Sequence, residues 1–165
     1  MPATYEKIAT TTLGSAAADI TFSGISSAFT DLKLVLTGTA TSLCNLAMRF
    51  NTDTATNYST TYIYGDGTSA TSGRRTSATR FIFTDSTNWD TTIPNFFTCD
   101  IFSYAGSTFK TCLASLSQDL NGSGSIENIV ALYRSTSAIT TIELLPLGTT
   151  FKTGTTATIY GILKA

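Results

Sequence analysis

Thr and Ser, not Lys and Glu, fill the gaps between the apolar residues of this chain. Roughly a third of its residues are Thr or Ser, and only 13% are charged. β-Branched Thr suits a pleated strand, whereas Ser, Gly and Asn suit turns. Surface helices would instead be studded with Glu, Lys and Ala. The filler therefore points to an all-β protein. The chain also contains no His, which removes the commonest general base and metal ligand.

The hydropathy pattern agrees. Leu32, Leu34 and Leu36 alternate with Lys33, Val35 and Thr37, and Leu46, Met48 and Phe50 alternate with Ala47, Arg49 and Asn51. Similar runs cover 58–64, 79–83, 97–104, 109–117, 139–145 and 155–163. Period-2 runs of this length read as half-buried strands. Ser23-Gly24, Gly65-Asp66-Gly67, Gly106-Ser107, Asn121-Gly122 and Thr153-Gly154 punctuate them as turns. Ile126, Ile129, Val130 and Tyr133 fit a helical spacing after Ser125, but Ile129, Ala131 and Tyr133 also alternate. Strands on both sides favour a strand there. The three prolines, Pro2, Pro94 and Pro146, fall near strand ends, where a missing N–H is tolerated. The spacing leaves an antiparallel β-sandwich or barrel of about eight to ten strands.

At 165 residues and 17.5 kDa the chain reads as one sandwich domain, 1–165. A domain of this size buries roughly two-thirds of its unfolded surface and needs no disulfide or metal staple. Net charge is −1, so no basic surplus attracts phosphate; neither nucleic acid nor membrane is an expected partner. The first residues carry Glu6 and Asp19 and build no apolar signal segment, and no apolar run reaches the roughly 18 residues of a membrane span. Use without export is expected.

Nothing in the chain assembles a known catalytic pattern. There is no G-x-S-x-G elbow, and Lys7, Lys33, Lys152 and Lys164 stand in no S-x-x-K context; Lys110 has that spacing in Ser107-Thr-Phe-Lys110, but no S-D-N element accompanies it. The acidic residues are scattered, mostly in turns, and the glycines follow no phosphate-loop spacing. Cys44, Cys99 and Cys112 lack metal-ligand spacing. No catalytic, metal or cofactor-binding residue is assigned, and the chain reads as a non-enzyme. The stretch Asn51-Thr-Asp-Thr-Ala-Thr-Asn57 gathers oxygens, but an Asx-stabilised hairpin turn explains it better than a Ca²⁺ loop. A hairpin joining 97–104 to 109–117 would set Cys99 roughly opposite Cys112, where packing as small apolar groups is favoured.

Trp89 stands in a polar loop, Asp85 to Asn95. It is an interface anchor, a sugar-stacking platform or a cap on the end of the sandwich. Arg74, Arg75 and Arg80 form the one basic cluster, suited to polar-face or intersubunit contacts.

Six blocks in order carry a resemblance: Tyr5-Glu-Lys-Ile-Ala-Thr-Thr-Thr-Leu-Gly14, Ile20-Thr-Phe-Ser23, Thr30-Asp-Leu-Lys-Leu-Val35, Arg49-Phe-Asn-Thr-Asp-Thr-Ala-Thr-Asn-Tyr-Ser59, Arg134-Ser-Thr-Ser-Ala-Ile139 and Ala157-Thr-Ile-Tyr-Gly-Ile162. Together they span nearly the whole chain, which resembles a group of small tailed-phage virion proteins labelled as capsid decoration, head-fibre or tail proteins. The group usually has Gly after the Phe-Asn pair and again three residues later; here these are Thr52 and Ala55. The resemblance implies an antiparallel β-sandwich, jelly-roll-like, and a non-enzymatic virion protein assembled in the host cytoplasm. The leading expectation is a homotrimeric decoration (cement) protein bound to the major capsid protein, with Tyr5, Trp89, Ile93, Phe96, Arg74 and Arg75 at interfaces. The alternative is a tail component or adhesin contacting host-surface glycans.

Overall fold

A computed structural model describes residues 4–83 and 89–163. Among them are twelve strands and no helix: β1 (Tyr5–Thr12), β2 (Ile20–Phe22), β3 (Asp31–Gly38), β4 (Leu46–Phe50), β5 (Tyr58–Gly65), β6 (Ala70–Ala78), β7 (Phe81–Ile82), β8 (Asn95–Ile101), β9 (Lys110–Asp119), β10 (Gly124–Tyr133), β11 (Ile142–Pro146) and β12 (Thr156–Ile162). Three more strands exist than alternation indicates by its nine runs. β1 and β6 were hidden because they are sheet edges with mostly exposed Thr, Ser and charged residues, so no apolar face marks them. β2 has only three residues. The segment with two possible periodicities is strand β10, which pairs along its full length with both β9 and β5.

All pairings are antiparallel, in an eight-stranded sheet ordered β1-β12-β3-β8-β9-β10-β5-β6 and a four-stranded sheet ordered β2-β11-β4-β7. Setting aside hairpins β5–β6 and β9–β10 leaves two four-stranded sheets, β1-β12-β3-β8 and β2-β11-β4-β7. Successive strands of this remainder pass from one sheet to the other, except β4 and β7, which pair within the smaller sheet, and the order is that of a jelly roll. The two hairpins are insertions that pair with each other through β10 and β5 and double the width of the larger sheet.

The inner faces meet in one continuous core. Leu32, Leu34 and Leu36 of β3, Phe97, Cys99 and Ile101 of β8, and Ala157 and Ile159 of β12 point into it with Leu46, Met48 and Phe50 of β4 and Ile142 and Leu144 of β11. Each buried aliphatic or aromatic side chain contributes about 1.5–3 kcal/mol. Phe50, Tyr58, Phe81 and Tyr133 make an aromatic knot with ring centroids 4.9–5.5 Å apart. The Thr filler lines the outer face: Thr10 and Thr12 of β1 hydrogen-bond Thr158 and Thr156 of β12 through their hydroxyls at 3.0 and 2.9 Å. Such cross-strand pairs satisfy polar side chains without charge.

The stretch Asn51–Asn57 turns the chain from β4 in one sheet to β5 in the other, so it is a corner and not a hairpin turn. Its Asx character is present. Asp53 accepts hydrogen bonds from the Ala55 amide and the Asn57 side chain, both at 2.8 Å. Asn51 accepts from the Thr140 and Thr141 amides. Thr52 has φ +55°, the left-handed conformation that glycine adopts without penalty.

Candidate interaction surface

The six residues assigned to interfaces do not form one site. Trp89 is fully buried, pairs through its backbone with Cys44 and sets its ring edge-on to Phe151 at 6.3 Å. It is a core residue that caps the sandwich, and the anchor reading is corrected: a side chain without exposed surface touches no partner. Its loop neighbours 85–88 lie outside the described residues. Ile93 and Phe96 are exposed, at the start of β8 and just before it. Tyr5 is half exposed but lies on the opposite edge strand from Arg74 and Arg75. The arginines themselves divide. Arg74 pairs with Thr61 and is exposed, whereas Arg75, one residue on, pairs with Thr60, a buried inward residue. Arg75 donates to the Ile82 carbonyl at 3.3 Å. Strand alternation sends neighbouring side chains to opposite faces, so these arginines are no single basic patch.

The thiols are correctly read as packed, but their register differs from the expectation. Cys99 faces Ala114 and Cys112 faces Ile101, making the two cysteines diagonal rather than opposite. All three cysteines are free and buried. The hydrogen bond with Cys112 and burial push the Cys99 thiol well up, and burial pushes Cys44 up to about 11. Raised thiols are poor nucleophiles. No group of three His, Cys, Asp or Glu residues able to hold a metal occurs among the described residues.

What alternation did not reveal is an apolar face on the inserted strands. Ile63 on β5, Ile126 and Val130 on β10, and Leu113 on β9 are 44–60% exposed on the outer side of the large sheet. Leu113 and Val130 are direct cross-strand partners. Ile63 pairs with Asn128 and so sits diagonally between Ile126 and Val130. A shallow groove of about 370 Å³ runs over Thr61, Ile63, Leu113, Asn128 and Val130. Phe96 stands two strands away, linked through Ser117 to Ile126. Charge is sparse: Asp100, opposite Leu113, is held by Lys33 at 2.8 Å.

A signal for this face was present. Strands β9 and β10 carry apolar residues on both sides, as strands buried on two faces do. The inner side holds Cys112, Ala114, Leu116, Ile129 and Ala131, all buried. The outer set is left uncovered. The chain exposes 7821 Å², close to the roughly 7,900 Å² that size scaling gives for a compact monomer. The face is therefore surplus to folding and free to meet a partner.

The fold and this face define a β-sandwich with an uncovered apolar surface. Comparison of the chain with family models, with curated proteins and with solved structures finds no match in any of the three.

Proposed function

We propose that the protein is a non-enzymatic virion structural protein, a decoration protein that seats on an assembled phage capsid and stabilises it. The observation that carries this reading is the uncovered apolar face built by Ile63, Leu113, Ile126 and Val130 on rigid strands. The ordered blocks shared with small phage virion proteins supply the context. A partner that binds only the assembled shell lowers that shell's free energy by mass action, and no chemistry is required of it. In this proposal the face contacts the major capsid protein. Copies sit as homotrimers at three-fold positions of the lattice, with Tyr5, Ile93 and Phe96 in secondary contacts. Raised thiols and the internal use of Trp89 fit a binding role better than a catalytic one.

Quantitative mass spectrometry of purified particles tests the proposal. A copy number in the hundreds, in fixed ratio to the major capsid protein, is expected. A few to a few dozen copies would exclude a lattice role and move the protein to the tail.

A further inference from the structure

The inserted hairpins also build a polar cleft, away from the apolar groove. The β5–β6 turn closes through the Asp66 amide and the Ser69 carbonyl, and the β9–β10 turn through the Leu120 amide and the Ser123 carbonyl. Between the two lies a cleft of about 370 Å³ bordered by Asp66, Gln118, Asp119, Ser123 and Ser125. Tyr64 and Leu120 line an adjoining space of about 380 Å³ that shares its floor.

The chemistry of the cleft is one-sided. Its charged groups are two carboxylates, and no Lys or Arg borders either space among the described residues. Anionic ligands are therefore disfavoured. Gln118 Oε1 and Ser125 Oγ, on directly paired residues of β9 and β10, are shielded from solvent and have no hydrogen-bond partner. Buried polar groups left in this state cost about 1–3 kcal/mol each. Rotation of either side chain toward the cleft lets an entering hydroxyl group satisfy it. Asp119 uses one oxygen on the Asn121 amide at 2.8 Å. Asp66 receives its Thr68 and Ser69 hydrogen bonds mainly through Oδ1, leaving Oδ2 with one long bond at 3.2 Å. Those bonds, led by the Ser69 amide, hold Asp66 well below the usual carboxylate range, so it is an ionised acceptor at neutral pH. Gly67 and Gly122 have no atom within 4 Å of where a Cβ would stand, which leaves open space over both turns.

We propose that this cleft binds a neutral saccharide. Its hydroxyl groups would donate to Asp66 Oδ2, Asp119, Gln118 and Ser125, while a sugar face packs on Tyr64. A ring of hydroxyl donors with an apolar face matches acceptors set beside a partly buried aromatic. A Ca²⁺ ion fits less well, since it takes six to eight oxygens and two partly engaged carboxylates supply few.

The test is a ¹H–¹⁵N NMR titration of the full chain with methyl glycosides of glucose, galactose, mannose and N-acetylglucosamine, and separately with calcium chloride. The expected result is saturable shifts confined to residues 64–68 and 118–126 for at least one glycoside, with Kd about 1 mM. Asp119→Asn should weaken that binding about tenfold with an unchanged melting temperature. Tyr64→Ala should weaken it too, its fold verified by the dispersion of the remaining peaks. The proposal is overturned if no glycoside shifts these peaks, if the shifts lie elsewhere, or if calcium alone moves them and saccharide adds nothing. It stands or falls independently of the copy number in the particle.

Discussion

The two halves of the large sheet are built by opposite rules. In the jelly-roll half, β1, β12, β3 and β8 turn Leu, Ile and Phe inward and show Thr, Lys33 and Asp100 outward. In the inserted half, the inner side admits polar groups and the outer side is apolar. Lys110 is fully buried on β9. Its ammonium donates to the carbonyls of Gly106 and Ser135 at 2.7 and 3.4 Å, and also to that of Thr108, while burial pulls its pKa down. Thr60 on β5 and Glu127 on β10 are buried as well. The contrast teaches that the jelly-roll half turns its apolar residues to the core, whereas the insertions leave part of theirs in solvent. An apolar outer face adds nothing to the stability of the isolated chain, whereas a polar inner residue needs every hydrogen bond it makes.

Substitutions on either side of this divide should separate stability from binding. The largest loss is expected from Trp89→Ala, which empties a fully buried site beside Phe151 and should cost about 3–5 kcal/mol by denaturant unfolding. A loss below about 1 kcal/mol would return Trp89 to the surface and dissolve the contrast.

The corner that joins the smaller sheet to the inserted half comes next. Asp53 accepts hydrogen bonds from the nearly buried Tyr133 hydroxyl at 2.9 Å, the Asn57 side chain and the Ala55 amide. Asp53→Ala should cost about 1–3 kcal/mol, chiefly by orphaning the tyrosine. Burial pushes the Asp53 carboxyl up, but these three bonds outweigh it and hold the group below its ordinary value. Asp90 is lowered in the same way by its turn amides, which outweigh the effect of burial. Carboxylates lowered in the folded state stabilise it fully above their unfolded value, about pH 4. They lose that contribution as pH falls through the folded values. The melting temperature should therefore drop on acidification below about pH 4, and Asp53→Asn should flatten the drop. A melting temperature independent of pH there would remove Asp53 as the fastening of this corner to β10.

Thr52→Gly should act in the other direction. A β-branched residue at φ +55° carries about 1–2 kcal/mol of steric cost. The greater freedom of an unfolded glycine offsets part of this, leaving a stabilisation of about 1 kcal/mol, visible as a raised melting temperature. No change would mean that Thr52 recovers the cost elsewhere; its hydroxyl donates to the Asn51 carbonyl at 2.6 Å.

The smallest effect on folding is expected on the outer face. Leu113→Ser with Val130→Ser should alter stability by no more than about 0.5 kcal/mol each, as exposed substitutions do. The same pair should abolish binding to assembled shells in a co-sedimentation assay. Retained binding would remove the face from the proposed function.

Much of the jelly-roll half was legible in residue order. Leu32, Leu34 and Leu36 could only be one face of a strand, because the pleat has a period of two. The inserted half was less legible for the same reason. β6 offers Ala, Thr, Ser, Gly and Arg to solvent at a sheet edge, and Gly73 there serves to let the Tyr62 ring lie across it. No alternating pattern marks that arrangement. Phe96 and Ile93, both exposed, were singled out in the sequence, while Ile63, Leu113, Ile126 and Val130 were passed over. In sequence they look like the other side of a buried strand.

Composition and period determined that this chain is all β, that it packs as a sandwich, and which residues of β3, β4, β8 and β12 face the core. These are local properties, set by β-branched filler and by alternation along each strand. Only the tertiary structure decided that Trp89 turns inward, that the arginines part, that Asn51–Asn57 is a corner, and that one apolar face and one polar cleft are left open. Each depends on which strands lie side by side and what the opposing sheet covers, and pairing between distant segments is not encoded in any single stretch of chain.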